Sequence, residues 1–312
     1  MLVTTERPLI SQPVSLTTTV PKEYVHRASL SEVFLTGWHE SGPDAFTVTA
    51  QWPRSHSFYS SRHAVHDPLL LCETIRQTFP LLTHAAYGMP FGHQLSWSHF
   101  QYAVNPQAMQ IERSPAELEL RIQCRDIRYL RSVPASMSMS IEVLRNGGLL
   151  ALASTRFGCH TPKVYERLRG GHEGTGRASG GRLPPDPVPY TVAGRDRPED
   201  VVLAATTEPR RWQLRVDTEH PVLFDHPVDH VPGMLLLESV RQAAHALDTS
   251  QAPVMLTAMD VTFNRYVEYD EACWIEGESV SPVAASARRS VRVNARQSDA
   301  LAFTATADLT DF

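Results

Sequence analysis

The sequence predicts an α+β protein that contains two copies of one unit, each with an apolar helix and an antiparallel sheet. Three observations lead to this prediction. The pattern His-x-Pro, an apolar run and Glu-x-x-Arg-Gln occurs at 66–77 and again at 230–242. Segments in which apolar and polar residues alternate follow both copies, as expected of half-buried strands. A segment rich in glycine, proline and arginine separates the two halves. Such self-similarity indicates a repeated supersecondary unit.

Each unit is predicted to contain one buried central helix. In the second half the helix begins at Pro232, a residue suited to the first turn of a helix, and runs over 232–247. In the first half it runs over 68–80. The second segment is apolar nearly all round, which is typical of a buried helix. We expect the helix to come first in each unit and the strands to follow it.

The strands are predicted from period-two alternation and from hairpin turns. In the first half they lie at 118–124, 136–145 and 149–157, and Asn146-Gly147, a strong hairpin pair, joins the last two. In the second half Ser298-Asp299 occupies a hairpin tip, and the predicted strands lie at 255–266, 273–281, 291–297 and 301–307. An apolar helix covered by an antiparallel sheet is the hot-dog layout. Two tandem hot-dog units in one chain are expected to pack as an internal pseudo-dimer.

The chain is predicted to divide into a first unit at 23–168, a Gly/Pro-rich linker at 169–200 and a second unit at 201–312. A length of 312 residues suits two domains. The glycine-rich part of the linker, 170–181, is expected to be mobile and dispensable, because it offers little apolar surface to order it.

The composition argues against several classes of protein. A formal charge of −5 and a pI near 6.3 give no basic footprint for nucleic acid. The four cysteines lack CxxC spacing, which argues against disulfides and zinc. No apolar run reaches membrane-spanning length, and the N-terminus lacks a signal-peptide pattern. Prolines interrupt the stretch that holds His220, His226 and His230, so we expect no metal site. We expect a cytoplasmic protein without a cofactor.

The repeated glutamate–arginine pairs are the first candidates for chemistry. Glu238 and Arg241 lie three residues apart on an apolar helix, where charged groups need partners and are often functional. Glu73 and Arg76 hold the same positions in the first copy. We expect Glu238 to act as a general base, provided that burial raises its pKa toward the working pH. A structural ion pair between helix and sheet remains the alternative.

The Pro232-Gly233 step is the second candidate. A helix N-terminus presents unpaired backbone N–H groups, and Gly233 lacks a side chain, so a substrate carbonyl can approach closely. The amides near Gly233 and Met234 are therefore expected to form an oxyanion site. His230 is expected to act as an acid, a base or an orienting group.

These residues carry two resemblances. The segment 225–238 resembles the His…Pro-Gly-x-Leu-x-x-Glu segment of the hot-dog 3-hydroxyacyl-carrier-protein dehydratases, with a shorter spacing from His226 to Glu238. The whole chain resembles the AfsA family of signalling-molecule synthases, the A-factor biosynthesis proteins. The matching stretches are Val25-His26-Arg27, 87–92, 224–234 and Phe263-Asn264-Arg265-Tyr266.

The second resemblance implies an acyltransferase. That family is understood to join a 3-oxoacyl chain, delivered on acyl carrier protein, to the hydroxyl of dihydroxyacetone phosphate. The ester then closes to a phosphorylated butenolide, on the way to a γ-butyrolactone-type or furan signal. The residues implied as catalytic are Glu238, Arg241 and Glu73, and those implied as substrate-binding are Arg76, Gly233, Met234, His230 and Arg265.

Several alternatives stay open. Arg241 either holds the phosphate or pairs with Glu238. In the first copy Leu69 follows Pro68 and no glycine does; this copy is degenerate, forms a second site or completes the other site across the interface. The chain is a monomeric pseudo-dimer or a homo-oligomer. The competing functions are a hot-dog dehydratase or thioesterase, and a regulator that binds an acyl ligand without turnover.

Overall fold

The computed structural model describes residues 17–60, 63–170, 185–248, 253–280 and 289–311. The predicted mobile stretch 170–181 lies outside these ranges, apart from Gly170. No helix in the described part of the chain is long and apolar enough to cross a membrane.

The first half contains six strands and two α-helices. A hairpin comes first and is followed by the long helix α1; four further strands precede the short helix α2. The elements are β1 (Leu35–Gly42), β2 (Ala45–Trp52), α1 (Pro68–Ala85), β3 (Gln94–Val104), β4 (Ala116–Leu130), β5 (Val133–Arg145), β6 (Gly148–His160) and α2 (Pro162–Arg169).

The second half repeats this order without the final helix. Two short strands precede the long helix, and four strands follow it. The elements are β7 (Leu203–Ala205), β8 (Arg211–Leu214), α3 (Gly233–Leu247), β9 (Val254–Phe263), β10 (Trp274–Val280), β11 (Arg289–Gln297) and β12 (Ala300–Asp311).

All twelve strands form one continuous antiparallel sheet. Its order is β1-β2-β4-β5-β6-β3-β9-β12-β11-β10-β8-β7. Each half contributes its strands in the same sequence, counted outward from the central pair. That pair, β3 and β9, is antiparallel, with Gln101 opposite Asp260. The arrangement confirms the predicted tandem hot-dog fold with a pseudo-two-fold axis between the halves.

The predicted order within each unit is wrong in one respect. The helix does not come first, because β1 and β2 precede α1, and β7 and β8 precede α3. The signal in β1 is weak, since Gly37 and Gly42 lie within it and glycine is depleted in strands. The central strand β3 also escaped the sequence analysis. Both hairpin tips are confirmed: Asn146 and Gly147 have φ of 52° and 75°, and Ser298 and Asp299 have φ of 49° and 60°.

The first central helix is longer than predicted. α1 continues through Pro80 to Ala85, although proline inside a helix costs about 3 kcal/mol. Every residue from Leu81 to His84 is buried, so packing against the sheet outweighs this cost. α3 matches its prediction to within one residue, with Pro232 as the N-cap.

The end of the predicted linker is packed into the fold. Residues 185–200 precede β7, and Val188 N–H donates to the carbonyl of Leu203 at 2.9 Å. Ala193 is fully buried, and Arg195 is 1% exposed. Arg169, at the other end of the predicted linker, closes α2 and is also buried. Both ends of the predicted linker are therefore packed into the fold. The linker at 169–200 and the units at 23–168 and 201–312 stay predictions.

Candidate functional site

Glu238 of α3 is fully buried and lies at the centre of a buried cluster of charges. Arg241 donates from Nε to Oε2 at 2.9 Å and from Nη2 to Oε1 at 2.7 Å. Arg195, from the segment before β7, donates from Nε to Oε1 at 2.8 Å, and its Nη2 lies 2.6 Å from Oε2. Gln242 donates to Oε1 at 2.5 Å. The carboxylate thus meets two guanidinium groups, of which the sequence analysis named only one.

Glu73 on α1 has the same surroundings. Arg76 donates from both Nε and Nη2 at 2.8 Å, and Gln77 donates at 2.7 Å. Arg27 supplies the second guanidinium, with Nε donating to Oε1 at 3.0 Å. The two clusters are therefore pseudo-symmetric, with Arg27 in the position of Arg195.

Both glutamates have a low pKa. Burial by itself raises the pKa of a carboxyl group, but Arg195 and Arg241 outweigh it and lower the pKa of Glu238 to about 2. Burial is outweighed in the same way at Glu73, whose pKa is lowered to about 2 by Arg27 and Arg76. The expectation that burial raises the pKa of Glu238 toward the working pH is wrong, because it left out the second guanidinium.

A second repeated pattern could have identified the missing arginines. Arg27 precedes Glu32 by five residues, and Arg195 precedes Asp200 by five residues. In the structure, the backbone carbonyls of Glu32 and Asp200 accept from the side chain of the helix glutamine, at 2.6 Å and 2.8 Å. An arginine followed by an acidic residue at this spacing is a weak signal alone, but its occurrence in both halves strengthens it.

The same two arginines also join the halves of the molecule. Arg27 donates from Nη1 to the carbonyl of Val222 at 3.4 Å. Arg195 donates from Nη1 to the carbonyl of Phe58 at 2.6 Å, and its guanidinium lies 4.1 Å from the centre of that ring. Each charged cluster therefore rests on a loop from the opposite half.

The N-termini of the two central helices differ. At α1, Asp67 Oδ1 accepts from Leu69 N–H at 2.8 Å, and Pro68 has no N–H to offer. At α3 the N-cap is Pro232, and no side chain in the described part of the chain caps the helix. Only the second helix therefore leaves its first amides open. At the first central helix, Asp67 is the N-cap, and its own carboxylate accepts the amide hydrogen bond that is left open at the second helix.

Gly233 makes room for a tryptophan. A Cβ atom at this position would lie 3.0 Å from Trp97 Cε3, which is too close without movement of the ring. From the sequence, the glycine is expected to admit a substrate carbonyl; in the structure, Trp97 fills the volume beside its Cα. The Gly233 amide remains at the uncapped helix end.

A cavity of about 840 Å³ lies at the N-terminus of α3, and we call it the α3 cavity. Gly233, Met234, His230 and Arg265 line it, and so does Arg76 from the first half. The structure thus brings together five of the predicted site residues. Much of the wall is apolar, from Phe79, Trp97, Phe157, Leu223, Leu236 and Phe263.

Arg241 does not reach the α3 cavity. It lines a separate cavity of about 540 Å³ at the N-terminus of α1, beside Asp67 and His66. The arginine on each central helix therefore faces the N-terminus of the other one. Arg76, with a side chain 20% exposed, accompanies the open N-terminus of α3. Arg241, with 6% exposed, accompanies the capped N-terminus of α1.

His230, which lines the α3 cavity, is paired with a carboxylate behind it. His230 Nδ1 lies 2.7 Å from Asp229 Oδ1, and Tyr165 of α2 donates its hydroxyl to the same carboxylate at 2.7 Å. Burial raises the pKa of Asp229, but the hydrogen bonds from His230 and Tyr165 outweigh it and hold the value at about 2. Asp229 therefore stays ionised and orients the histidine.

Arg169 fixes α2 against this pair. It donates to Glu268 from Nη1 at 2.5 Å and from Nη2 at 2.6 Å, and its Nη2 also donates to the carbonyl of Asp229 at 2.9 Å. Arg169 comes from the first half and Glu268 from the second. The wall of the cavity is therefore assembled across the interface.

The fold and this site define a tandem hot-dog protein with a cavity that is lined by residues of both halves. Residues 10–161 and 179–312 match the sequence profile of AfsA, the A-factor biosynthesis hotdog domain. The chain belongs to this family.

Named relatives and a solved structure are consistent with this membership. The chain is 46% identical over 288 residues to a 2-oxo-3-(phosphooxy)propyl 3-oxoalkanoate synthase of Streptomyces virginiae, covering 92% of this chain and 96% of the relative. A protein of the same name from Streptomyces coelicolor is 40% identical, covering 92% and 90%. The structure of a putative oleoyl thioesterase from Lactobacillus plantarum superimposes with a TM-score of 0.55 at 11% identity, covering 87% and 98%. That likeness shows the fold alone.

Proposed function

We propose that this chain transfers a 3-oxoacyl group from a thioester on acyl carrier protein to the hydroxyl of dihydroxyacetone phosphate. The product is the ester named in its relatives, 2-oxo-3-(phosphooxy)propyl 3-oxoalkanoate, which then closes to a phosphorylated butenolide. The observation that carries this proposal is the α3 cavity, where an uncapped helix N-terminus, His230 and Arg76 share an apolar-walled space, and where His230 is held by the carboxylate of Asp229.

His230 is the general base in this proposal. It removes the hydroxyl proton of the acceptor, the oxygen attacks the thioester carbon, and the bond to sulfur breaks. The proton then passes from the imidazole to the leaving thiolate, so the histidine is neutral again at the end. Asp229 supports this role because its ionised carboxylate holds one ring nitrogen and stabilises the imidazolium.

The other charged groups bind and position in this proposal. The amides at Gly233 and Met234 stabilise the tetrahedral oxyanion. Arg76 and Arg265 recognise the phosphate, since both line the α3 cavity and guanidinium groups suit phosphate geometry. Glu73 holds Arg76 in place through two hydrogen bonds. The catalytic assignments of Glu238, Arg241 and Glu73 stay predictions; their burial and mutual contacts support a positioning role.

The test compares two histidines of the same cavity. His230→Gln is expected to lower turnover by about 10²- to 10⁴-fold, the usual contribution of general-base catalysis. His226→Gln is the matched control, because His226 also lines the cavity but contacts Asp225 at 3.4 Å; a loss below tenfold is expected. The assay supplies a 3-oxoacyl thioester with and without dihydroxyacetone phosphate and identifies products by mass spectrometry.

The outcomes separate the competing functions. Free acid formed at the same rate without the acceptor would make the chain a thioesterase, and a dehydrated acyl thioester would make it a dehydratase. Ligand binding without any product would leave a regulator. A large loss in His226→Gln with little effect in His230→Gln would overturn the choice of base while keeping the reaction.

A further inference from the structure

The tip of the β4–β5 hairpin, residues 125–131, carries a concentration of positive charge that we call the basic hairpin. It contains three arginines and one acidic residue, Asp126, in a chain whose formal charge is −5. Arg125, Arg128 and Arg131 are exposed, and none of them has an ion pair with another residue of the described ranges. Tyr129 and Leu130 between them are 54% and 53% exposed.

The register of the sheet locates the basic hairpin near the α3 cavity. Ser96 of β3, which lines the cavity, pairs with Gly158 of β6. Gly158 pairs with Ser136 of β5, and Ser136 pairs with Arg128 of β4. Three strand spacings of about 4.8 Å separate Ser96 from Arg128, a distance of roughly 14 Å along the sheet. The basic hairpin extends beyond this row, at the end of the sheet where the cavity lies.

Helix α2 adds exposed basic and apolar side chains at the same end of the molecule. It follows β6 directly and begins two residues after His160, which lines the cavity. Leu168 also lines the cavity and is 55% exposed, while Lys163 and Arg167 are exposed. The cavity therefore has two neighbouring elements that combine positive charge with exposed apolar side chains.

We propose that the basic hairpin docks the acidic surface of the carrier protein that brings the acyl thioester to the α3 cavity. This inference rests on the proposed function. Unpaired arginines attract an acidic partner and orient it during encounter. The exposed Tyr129 and Leu130 supply the apolar contact that arginines alone lack, in keeping with the enrichment of tyrosine and arginine at protein interfaces.

The composition of the patch favours a protein partner over nucleic acid. A DNA site can use about 6–10 phosphate contacts, and a polybasic membrane site has about 4–8 basic residues. With Lys163 and Arg167 of α2 the count of exposed basic residues at this end is five, below the DNA range and within the membrane range, so the lipid-vesicle arm of the experiment decides between a membrane and a protein. In the basic hairpin itself, three arginines surround two exposed apolar side chains. They match a small, transient interface, which suits a carrier that must leave after each transfer.

The experiment reverses one charge on the hairpin and one elsewhere. Arg128→Glu is compared with Arg113→Glu, because Arg113 is also exposed but lies just before β4 begins, at the opposite end of the same strand. Each variant is assayed with one 3-oxoacyl group presented on acyl carrier protein and on a short synthetic thioester. We expect Arg128→Glu to lower kcat/KM about tenfold with the carrier protein and less than twofold with the short thioester. Arg113→Glu should change neither.

Ionic strength provides an independent readout. For the native chain, kcat/KM with the carrier protein should fall as salt rises from 50 to about 300 mM, because exposed charges are screened. The triple variant Arg125→Glu, Arg128→Glu and Arg131→Glu should lose that dependence. Its melting temperature should match that of the native chain, since the three side chains are exposed.

Each result bears on one proposal or the other. Equal losses with both donors, an unchanged rate with the carrier protein, or an equal effect of Arg113→Glu would overturn the docking proposal. Binding of anionic lipid vesicles or of nucleic acid that Arg128→Glu abolishes, with carrier-dependent kinetics intact, would also overturn it. If the native chain forms no ester from either donor, the proposed function itself fails.

Discussion

Each central glutamate is held by two arginines, one from its own helix and one from a distant loop. Removing one partner from a buried ion pair is more harmful than the net contribution of the pair suggests, because a charge remains buried without compensation. If either Glu238 or Glu73 lost its charge, two guanidinium groups would remain without their carboxylate. The exposed pair of Arg121 and Glu119 has no such consequence, since water replaces the lost partner.

We expect the stability of the protein to fall steeply between about pH 4.5 and pH 2. The folded pKa values of Glu73 and Glu238 are about 2, below their ordinary value of 4.5. A depressed pKa contributes stability that is complete above the unfolded pKa and is lost as pH falls through the folded pKa. The contribution is on the order of 3 kcal/mol for each carboxylate. Urea unfolding at a series of pH values measures it.

The variant Glu238→Gln identifies the source of this slope. It should destabilise the protein by about 3–5 kcal/mol at neutral pH and flatten the acid slope. Glu119→Gln is the control and should change stability by less than about 1 kcal/mol. An acid slope unchanged in Glu238→Gln would show that other groups cause the acid sensitivity.

The sequence could identify half of each cluster. Glu238 and Arg241 are recognisable because three-residue spacing on an apolar helix forces them together. Arg195 and Arg27 escaped because they lie 43 and 46 residues from their carboxylates, in segments without regular structure. Without them, the sign of the pKa shift was wrong. The pairing of His230 with Asp229 needed the turn geometry that only the folded chain provides.

At the scale of elements, the two central helices differ chiefly at their first residues. Measured back from each glutamate, Gly233 corresponds to Pro68, since both lie five residues before it. The first copy therefore lacks an amide hydrogen at the position where the second copy has one. The order of residues after each proline pairs Gly233 with Leu69, whereas the N-caps Asp67 and Pro232 pair Gly233 with Pro68, a shift of one residue.

The variant Gly233→Ala should impair activity more than stability. Alanine is favoured over glycine in a helix by up to about 1 kcal/mol, which offsets the contact with Trp97 at 3.0 Å. The ring must move into the α3 cavity, so we expect kcat/KM to fall roughly tenfold with an unfolding free energy within about 1 kcal/mol of the native value. Gly148→Ala is the control, because its Cβ would meet nothing closer than 3.6 Å. A fully active Gly233→Ala protein would mean that the ring lies away from the reacting groups.

Long strands and helices were the elements most readily predicted. The strands β4, β5, β6, β11 and β12 alternate cleanly, because one face packs on a helix and the other faces solvent. The strand β3 shows no continuous alternation of apolar and polar residues, because it lies between β6 of its own half and β9 of the other half. Two of its residues, Ser96 and Trp97, line the α3 cavity. The local sequence of a strand does not indicate that its neighbouring strand comes from the other half of the chain.

At the scale of the whole molecule, many non-covalent contacts join the two halves. The β3–β9 ladder links their sheets, Arg27 and Arg195 each donate to a carbonyl of the other half, and Arg169 pairs with Glu268. We expect these contacts to hold the halves together without the covalent connection.

Cleavage of the connection tests this expectation. A specific protease site inserted within 171–181 should allow the chain to be cut into two fragments that elute together in gel filtration. The cut protein should retain more than about half of the native activity, because the α3 cavity draws its walls from both fragments. An uncut protein with the same insertion is the control. Separation of the fragments under native conditions, or loss of activity in a complex that stays intact, would contradict the expectation.

The unequal helix N-termini have a consequence for how such a protein can evolve. In a homodimer one gene specifies both sites, so any substitution appears twice. Here Asp67 and Pro232 are separate positions, and one copy can lose its opening while the other keeps it. The first copy, whose helix N-terminus is capped, is still needed, because its Arg76 faces the open N-terminus of α3 in the second copy. Natural selection for one reaction therefore constrains the sequences of both copies. A substitution on the central helix of one copy can alter the cavity at the helix N-terminus of the other.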